Sequence, residues 1–128
     1  MAGDFQSRDE GFMREALDLA FESMDLGEVP VGALIVIDGK VVGRGGNRCI
    51  GNLDPTAHAE IIALRDASKS LGNYRLPGAE LFVTLEPCTM CVGAIIHARI
   101  KRVVFAALDS RSGAVCSCSK TFDQKYHN

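Results

Sequence analysis

The sequence has 128 residues, of which 47% are hydrophobic and 23% charged, and its net charge is −2. This size and composition predict one globular domain over residues 1–128, and they exclude a disordered tail, a collagen and a coiled coil. No apolar run approaches the roughly 20 residues that cross a membrane, and the acidic, polar start does not resemble a secretory signal. Five cysteines without a regular spacing favour a reducing, cytoplasmic location, with the thiols used for metal binding or catalysis.

The first predicted element is a helix over about Arg8–Met24, where apolar residues recur at helical spacing. The stripe expected to face the core consists of Phe12, Ala16, Ala20 and Met24. The β-branched run Val31–Ile37 predicts a strand. Asp38-Gly39 is a strong signal for a two-residue hairpin turn, so Lys40–Gly45 should be the antiparallel partner.

Residues 47–54 have the composition of a loop, and residues 109–128 are polar and weakly patterned. The elements predicted between them are helices from Asp54 to Leu71 and over Cys88–Ala98, and strands over Glu80–Leu85 and Arg102–Ala107. Pro55 and Pro87 suit the first turns of the two helices, and Gly72 should end the first of them.

The order α-β-β-α-β-α-β predicts a three-layer α/β/α sandwich around a mixed sheet. We expect antiparallel pairing at the hairpin and parallel pairing across the crossover helices. In such sheets the amino ends of neighbouring helices open above the carboxyl ends of the strands, which is where α/β proteins place their sites.

Two short motifs, His58-Ala59-Glu60 and Pro87-Cys88-Thr89-Met90-Cys91, would meet at this edge. The spacing of Cys88 and Cys91 puts both sulfurs on one helix face, near the positive helix end that favours thiolates. Two thiolates favour a soft or borderline cation, most often zinc. His58, in the first turns of the preceding helix, would supply a third ligand.

Three protein ligands leave the fourth position of zinc open to water, as in catalytic sites. Glu60, two residues beyond His58, is placed to act as a proton shuttle there. Each motif alone is weak, since a lone CxxC can be structural or redox-active. Together, H-x-E followed by P-C-x-x-C is the known pattern of zinc deaminases.

The sequence around these motifs closely resembles the bacterial tRNA-specific adenosine deaminase family, over roughly residues 10–115. The stretches that carry the resemblance are Glu28–Ala33, Gly46–Arg48, Asp54–Ile61, Asn73–Leu76, Val83–Cys91 and Arg102–Phe105. The resemblance implies a cytidine-deaminase-like fold, one zinc per chain and usually a homodimer. It implies hydrolytic conversion of adenosine to inosine at the wobble position of a tRNA anticodon.

By this resemblance, His58, Cys88 and Cys91 are the zinc ligands and Glu60 is the proton shuttle. The residues implied to contact the flipped adenine or its strand are Asn47, Val29, Leu85, the backbone of Ala59, and Asp109. Read without the family, Asn47 is equally well a turn residue after Gly45-Gly46.

The sequence departs from the family after the fourth strand, where Leu108 stands in place of a basic residue. Cys116 and Cys118 are unusual additions, and the family's usual C-terminal strand and helix have no counterpart here. We therefore expect weaker and more tolerant nucleic-acid binding, extending to single-stranded DNA.

The charge distribution neither indicates nor excludes nucleic-acid binding. Residues 1–64 carry five basic and eleven acidic side chains, whereas residues 65–128 carry nine basic and five acidic ones. The basic half, including Arg99 and Arg111, is expected to contact phosphates; an ordinary solvated surface is the alternative.

Two other functions remain as alternatives. The same zinc core suits a small-molecule deaminase of guanine, cytosine or cytidine. A non-catalytic zinc domain would instead join Cys88 and Cys91 to Cys116 and Cys118, which would leave His58 and Glu60 without a role.

Overall fold

The computed structural model describes residues 7–123. Its elements are α1 (Ser7–Asp25), β1 (Gly32–Ile37), β2 (Lys40–Gly46), α2 (Ala59–Leu71), β3 (Glu80–Leu85), α3 (Thr89–Ala98), β4 (Arg102–Ala107) and a 3₁₀ turn, Thr121–Asp123. The predicted order of elements is confirmed. Within residues 7–123, no helix combines the length and apolar character needed to cross a bilayer.

The four described strands form one mixed sheet in the order β2-β1-β3-β4. β1 is antiparallel to both β2 and β3, and β3 is parallel to β4. The prediction of parallel neighbours across both crossovers holds for α3 but is wrong for α2. β1 lies between β2 and β3 and is antiparallel to both. α2 therefore connects β2 and β3, which run in the same direction but are not neighbours in the sheet.

Helices cover both faces of the sheet, which confirms the three-layer sandwich. α1 packs on one face, where Met13 and Ala16 meet Leu34 and Phe82. α2 and α3 pack on the other face against β1, β3 and β4.

The buried stripe of α1 is rotated from the predicted one. It consists of Asp9, Met13, Ala16, Ala20 and Ser23. Met24 is 51% exposed, so its placement in the core was wrong. Phe12 is half-buried and its ring lies 5.1 Å from that of Phe82. Two inward positions of α1 are taken by polar residues: Asp9 accepts hydrogen bonds from Arg102, and Ser23 donates one to the carbonyl of Asn47.

α2 lies directly on the backbone of β2. A Cβ at Gly43 would stand 2.5 Å from the carbonyl oxygen of Ala63, and one at Gly45 would stand 2.5 Å from that of Ala59. These glycines face Ala59, Ala63 and Ala67, all fully buried. A seam of glycines against alanines therefore sets the distance of α2 from the sheet.

Both site helices begin later than predicted. α2 starts at Ala59 with His58 as its N-cap, because the Asp54 carboxylate first accepts hydrogen bonds from the Thr56 N–H (2.9 Å) and hydroxyl (2.7 Å). α3 starts at Thr89 with Cys88 as its N-cap, so Pro87 precedes the helix. Two predicted metal ligands thus lie at helix caps, with extended backbone that aims their side chains off the helix ends.

Candidate metal centre and adjoining cavity

The three predicted metal ligands converge where α2 and α3 begin. The Nδ1 atom of His58 lies 3.6 Å from the sulfur of Cys88 and 3.5 Å from that of Cys91. All three potential ligand atoms lie within 4.8 Å of one another. Tetrahedral zinc, with Zn–N near 2.05 Å and Zn–S near 2.3 Å, requires an N···S separation of about 3.6 Å. The residues therefore fit a zinc ion.

The two thiols are coupled. The hydrogen bond shared with Cys91 and the nearby His58 lower the pKa of Cys88 to about 5. The same hydrogen bond, together with burial, raises the pKa of Cys91, which keeps the shared proton. A metal ion bound here would displace that proton, since thiolates are the ligands.

Cys116 and Cys118 do not join this group. Both are exposed, and in the part of the chain from 7 to 123 the cluster able to hold a metal is His58, Cys88 and Cys91. The four-cysteine structural site is therefore not supported.

A cavity of about 320 Å³ opens beside the ligands. Its volume lies at the lower end of small-ligand pockets, which span roughly 300–1,000 Å³. It is lined by Glu28, Val29, Val31, Asn47, Cys49, Ile50, His58, Glu60, Leu85, Glu86, Cys88, Asp109 and Ser112. Of the five residues that the family resemblance places at the adenine or its strand, Ala59 alone lies outside this lining.

Glu60 lies in the wall of the cavity and is 4% exposed. Burial raises the pKa of its carboxyl from the ordinary 4.5 to about 7. Because Glu60 is the second residue of α2 and His58 is the cap, the helix start fixes the carboxyl and the imidazole together.

Asn47 is buried and its backbone is fixed on both sides. Its N–H donates to the carbonyl of Val31 (3.1 Å), and its carbonyl accepts from Ser23 (3.2 Å) and Arg48 (2.9 Å). Its side-chain oxygen accepts a weak hydrogen bond from the Cys49 thiol (3.8 Å). Among residues 7–123, no hydrogen-bond acceptor contacts its side-chain NH₂, so this donor can serve a molecule in the cavity.

The remaining predicted contacts differ in character. Val29 is 59% exposed at the cavity rim, and Leu85 is half-buried at the end of β3. Ala59 is fully buried as the first residue of α2. The Asp109 carboxylate accepts hydrogen bonds from the N–H of Arg111 (3.0 Å) and the hydroxyl of Ser112 (2.9 Å). These bonds stabilise the turn in which Asp109 lies.

Two buried glutamates in the cavity wall were not predicted. Glu28 accepts the N–H groups of Ile50 (3.0 Å) and Gly51 (2.7 Å). Glu86 accepts several N–H groups from residues 109–117; burial alone would raise its pKa, but these hydrogen bonds outweigh burial and lower it to about 2. The sequence signal was an acid beside an apolar strand or turn, with nothing to indicate the distant partners.

Three basic residues of the second half of the chain, Arg99, Arg102 and Arg111, lie in different parts of the fold. Arg111 is exposed in the turn that borders the cavity. Arg99 ends α3, ten residues or about 15 Å from its amino end, and donates to the carbonyl of Ile96 (3.0 Å). Arg102 pairs with Asp9. A phosphate contact beside the cavity therefore suits Arg111, whereas Arg99 lies away from the cavity.

Comparison with known proteins agrees with this geometry. Residues 6–107 match the family model for the cytidine and deoxycytidylate deaminase zinc-binding region. The tRNA-specific adenosine deaminase of Haemophilus influenzae is 56% identical over 116 residues, which cover 90% of this chain and 67% of that protein. Its counterpart in Agrobacterium fabrum is 51% identical over 113 residues, covering 88% and 74%.

Solved structures of deaminases share this fold. A structure from a study of A-to-I editing by tRNA:A34 deaminases at the wobble position superposes with a TM-score of 0.93 at 48% identity, covering 95% of this chain and 94% of that one. Guanine deaminase from Bacillus subtilis gives 0.75 at 46% identity, covering 77% and 64%. The chain belongs to the zinc-binding cytidine and deoxycytidylate deaminase family, among the tRNA-specific adenosine deaminases.

Proposed function

We propose that this protein hydrolyses adenosine to inosine in RNA, at the wobble position of a tRNA anticodon, with release of ammonia. The observation that carries the proposal is the buried Glu60 carboxyl in a cavity wall beside a His-Cys-Cys group of zinc geometry. The tRNA-specific relatives support the choice of adenosine and tRNA.

His58, Cys88 and Cys91 hold the zinc in this proposal. A zinc ion held by these three residues would leave a fourth position for water and would supply the Lewis acidity that lowers the pKa of that water. Glu60 accepts a proton from the attacking water and delivers protons to N1 of adenine and to the departing amine. The new C6–O bond replaces the C6–N bond, and no other reactant is needed.

The base enters the cavity unpaired, since a base within a stem cannot reach the site. The side-chain NH₂ of Asn47 donates to the purine and sets its orientation. Val29 and Leu85 provide apolar contact with its faces. The backbone of Ala59, at the start of α2, is the remaining contact that the family resemblance assigns to the ring.

We further propose that residues 1–128 act as one deaminase domain, as a cytoplasmic homodimer that binds an anticodon loop. Support for a second copy comes from a shallow apolar groove between α2 and α3, lined in part by Ile61, Leu64, Ala94 and Ala98. Light scattering of the purified chain tests the dimer.

The test of the function is inosine formation on an anticodon stem-loop RNA with adenosine at the wobble position. Free adenosine, guanine and cytidine, and a single-stranded DNA of the same sequence, are assayed in parallel. We expect fastest turnover of the RNA. Efficient turnover of a free base or nucleoside, with no response to either polymer, would instead identify a small-molecule deaminase.

The same assay tests the base pocket. Asn47→Ala removes the donor that orients the purine, so we expect turnover to fall by about 10- to 100-fold, which corresponds to roughly 1.4–3 kcal/mol. Asn52→Ala, in the same loop but exposed, is the matched control and should retain wild-type turnover. Equal activity of the two variants would remove Asn47 from the proposed site.

A further inference from the structure

Glu86 is a buried carboxylate in the wall of the cavity, two residues before Cys88. It is 2% exposed and its own N–H is held by the carbonyl of Ala107 (2.9 Å). Such a charge is costly to bury unless hydrogen bonds surround it. Within the described chain, all of those that reach its side chain come from residues 109–117, which we term the distal loop.

Both carboxylate oxygens of Glu86 are fully used by the distal loop. Oε1 accepts the N–H of Asp109 (3.1 Å) and the hydroxyl of Ser117. Oε2 accepts the N–H groups of Val115 (3.0 Å), Cys116 (2.8 Å) and Ser117 (2.9 Å). Since every partner is a donor, an amide side chain at this position would set its NH₂ against other donors.

The distal loop is built around this carboxylate. A Cβ at Gly113 would stand 2.4 Å from both Cδ and Oε1 of Glu86, so the loop approaches as closely as a backbone can. The Ala114 N–H donates to the carbonyl of Pro87 (2.8 Å), and its fully buried side chain packs with Val92 and Ile96 of α3. The loop is thereby joined to the helix that carries Cys91.

The distal loop also forms part of the cavity wall, through Asp109 and Ser112. The position of these residues depends on the same loop backbone that Glu86 holds, since the Gly113 N–H donates to the Asp109 carbonyl (2.9 Å). Displacing the loop would open the cavity on this side while leaving His58, Cys88 and Cys91 in place.

We infer that Glu86 is a positioning residue for substrate binding: its carboxylate anchors the distal loop against the start of α3 and so holds one wall of the base cavity. The inference rests on the proposed function for its substrate. Glu86 acts through the loop and does not touch the base, because neither oxygen has capacity left for a ligand.

The experiment compares Glu86→Gln with Gly113→Ala. The first replaces an acceptor oxygen by a donor, and the second pushes the loop away from an unchanged Glu86. For both we expect KM for the anticodon stem-loop to rise roughly tenfold or more with kcat nearly unchanged, the size usual for loss of a supporting hydrogen-bond partner. Zinc content should stay at one per chain. Glu22→Gln, an exposed glutamate on α1, is the matched control.

Amide hydrogen exchange supplies a readout that does not depend on turnover. In both variants we expect faster exchange at Asp109, Cys116 and Ser117, with β3 and β4 as protected as in the wild type. A general loss of stability would speed exchange in the strands as well, and would overturn the assignment.

Other outcomes also decide the matter. A raised KM in Glu86→Gln with none in Gly113→Ala would mean that Glu86 contacts substrate directly. Lost protection of the loop with unchanged KM would remove the link to binding. If the wild-type protein fails to deaminate RNA, the proposed function falls, and the exchange measurement alone then tests the anchoring by Glu86. If Glu86→Gln does not fold, Gly113→Ala decides.

Discussion

At the amino ends of β3 and β4, Arg102 donates hydrogen bonds to Asp9 (2.6 and 3.1 Å) and to Glu80 (2.8 Å), so buried charge is neutralised by side chains of opposite charge. At the edge of the sheet where these strands end, buried Glu28 and Glu86 instead accept hydrogen bonds from backbone N–H groups and one serine hydroxyl. The first arrangement ties a helix to two strands. The second fixes loops around a cavity without placing a positive side chain against either carboxylate.

This contrast implies that substitutions at the carboxyl ends of the strands should lower activity without lowering stability. Substitutions at the amino ends should lower stability without changing substrate binding.

The largest effect is expected for Cys88→Ala. With one of three ligands gone, zinc should be lost and deamination abolished. Elemental analysis and the inosine assay measure both. The double variant Cys116→Ser with Cys118→Ser should keep one zinc per chain; loss of zinc there would restore the four-cysteine interpretation.

Glu60→Gln tests the proton-shuttle role at the carboxyl ends of the strands, because glutamine has nearly the same shape as glutamate but cannot carry the proton. We expect turnover to fall by about 10²- to 10⁴-fold, the usual contribution of a positioned acid–base group. Zinc content and melting temperature should match the wild type. A variant that kept most of its activity would contradict the proton-shuttle role, and one that lost zinc would make Glu60 a ligand.

Arg102→Met tests the opposite end of the sheet. It takes the guanidinium from Asp9, which is fully buried, and removing one member of a buried ion pair typically costs about 3–5 kcal/mol. Urea unfolding should show that loss in the free energy of unfolding, with KM for the stem-loop unchanged below the transition. Arg14→Met, on an exposed position of α1, is the control. A raised KM with intact stability would reverse the assignment of the two ends.

The smallest effect is expected for two exposed arginines, Arg111 in the turn beside the cavity and Arg99 at the carboxyl end of α3. Arg111→Ala, beside the cavity, should weaken RNA binding and reduce the slope of log K against log salt by about 1, as for one lost phosphate contact. Arg99→Ala should leave that slope unchanged. Equal slopes for both variants would contradict a phosphate contact by Arg111.

The bounds of β3 and β4 were predicted to the residue, because short apolar runs between turn residues have few alternatives. The starts of α2 and α3 were harder. Pro55 and Pro87 suit a first helical turn equally well, and only the hydrogen bonds of Asp54 and the cap position of Cys88 decide against it. The hydrophobic period of α1 was shifted because buried polar residues occupy its inner face.

The convergence of the three metal ligands was predictable because the two motifs, taken together, are the known pattern of zinc deaminases. The walls of the cavity were not. Glu28 lies 22 and 23 residues along the chain from its hydrogen-bond partners Ile50 and Gly51. Glu86 lies up to 31 residues from its hydrogen-bond partners. Apart from the Ser117 hydroxyl, those partners are backbone N–H groups, which every non-proline residue possesses and no sequence pattern distinguishes. Such contacts become visible only when the chain is folded.

The glycine–alanine seam between β2 and α2 has a consequence for how this protein tolerates sequence change. A larger residue at Gly43 or Gly45 cannot be absorbed by a rotamer change, because the nearest atoms are backbone atoms of α2. The helix would have to move outward as a unit, and its first residues carry Glu60 and follow His58. One added methyl group on β2, where it faces α2, would thus displace the start of α2 and with it His58 and Glu60. Substitutions that impair catalysis therefore include those at residues that do not contact substrate.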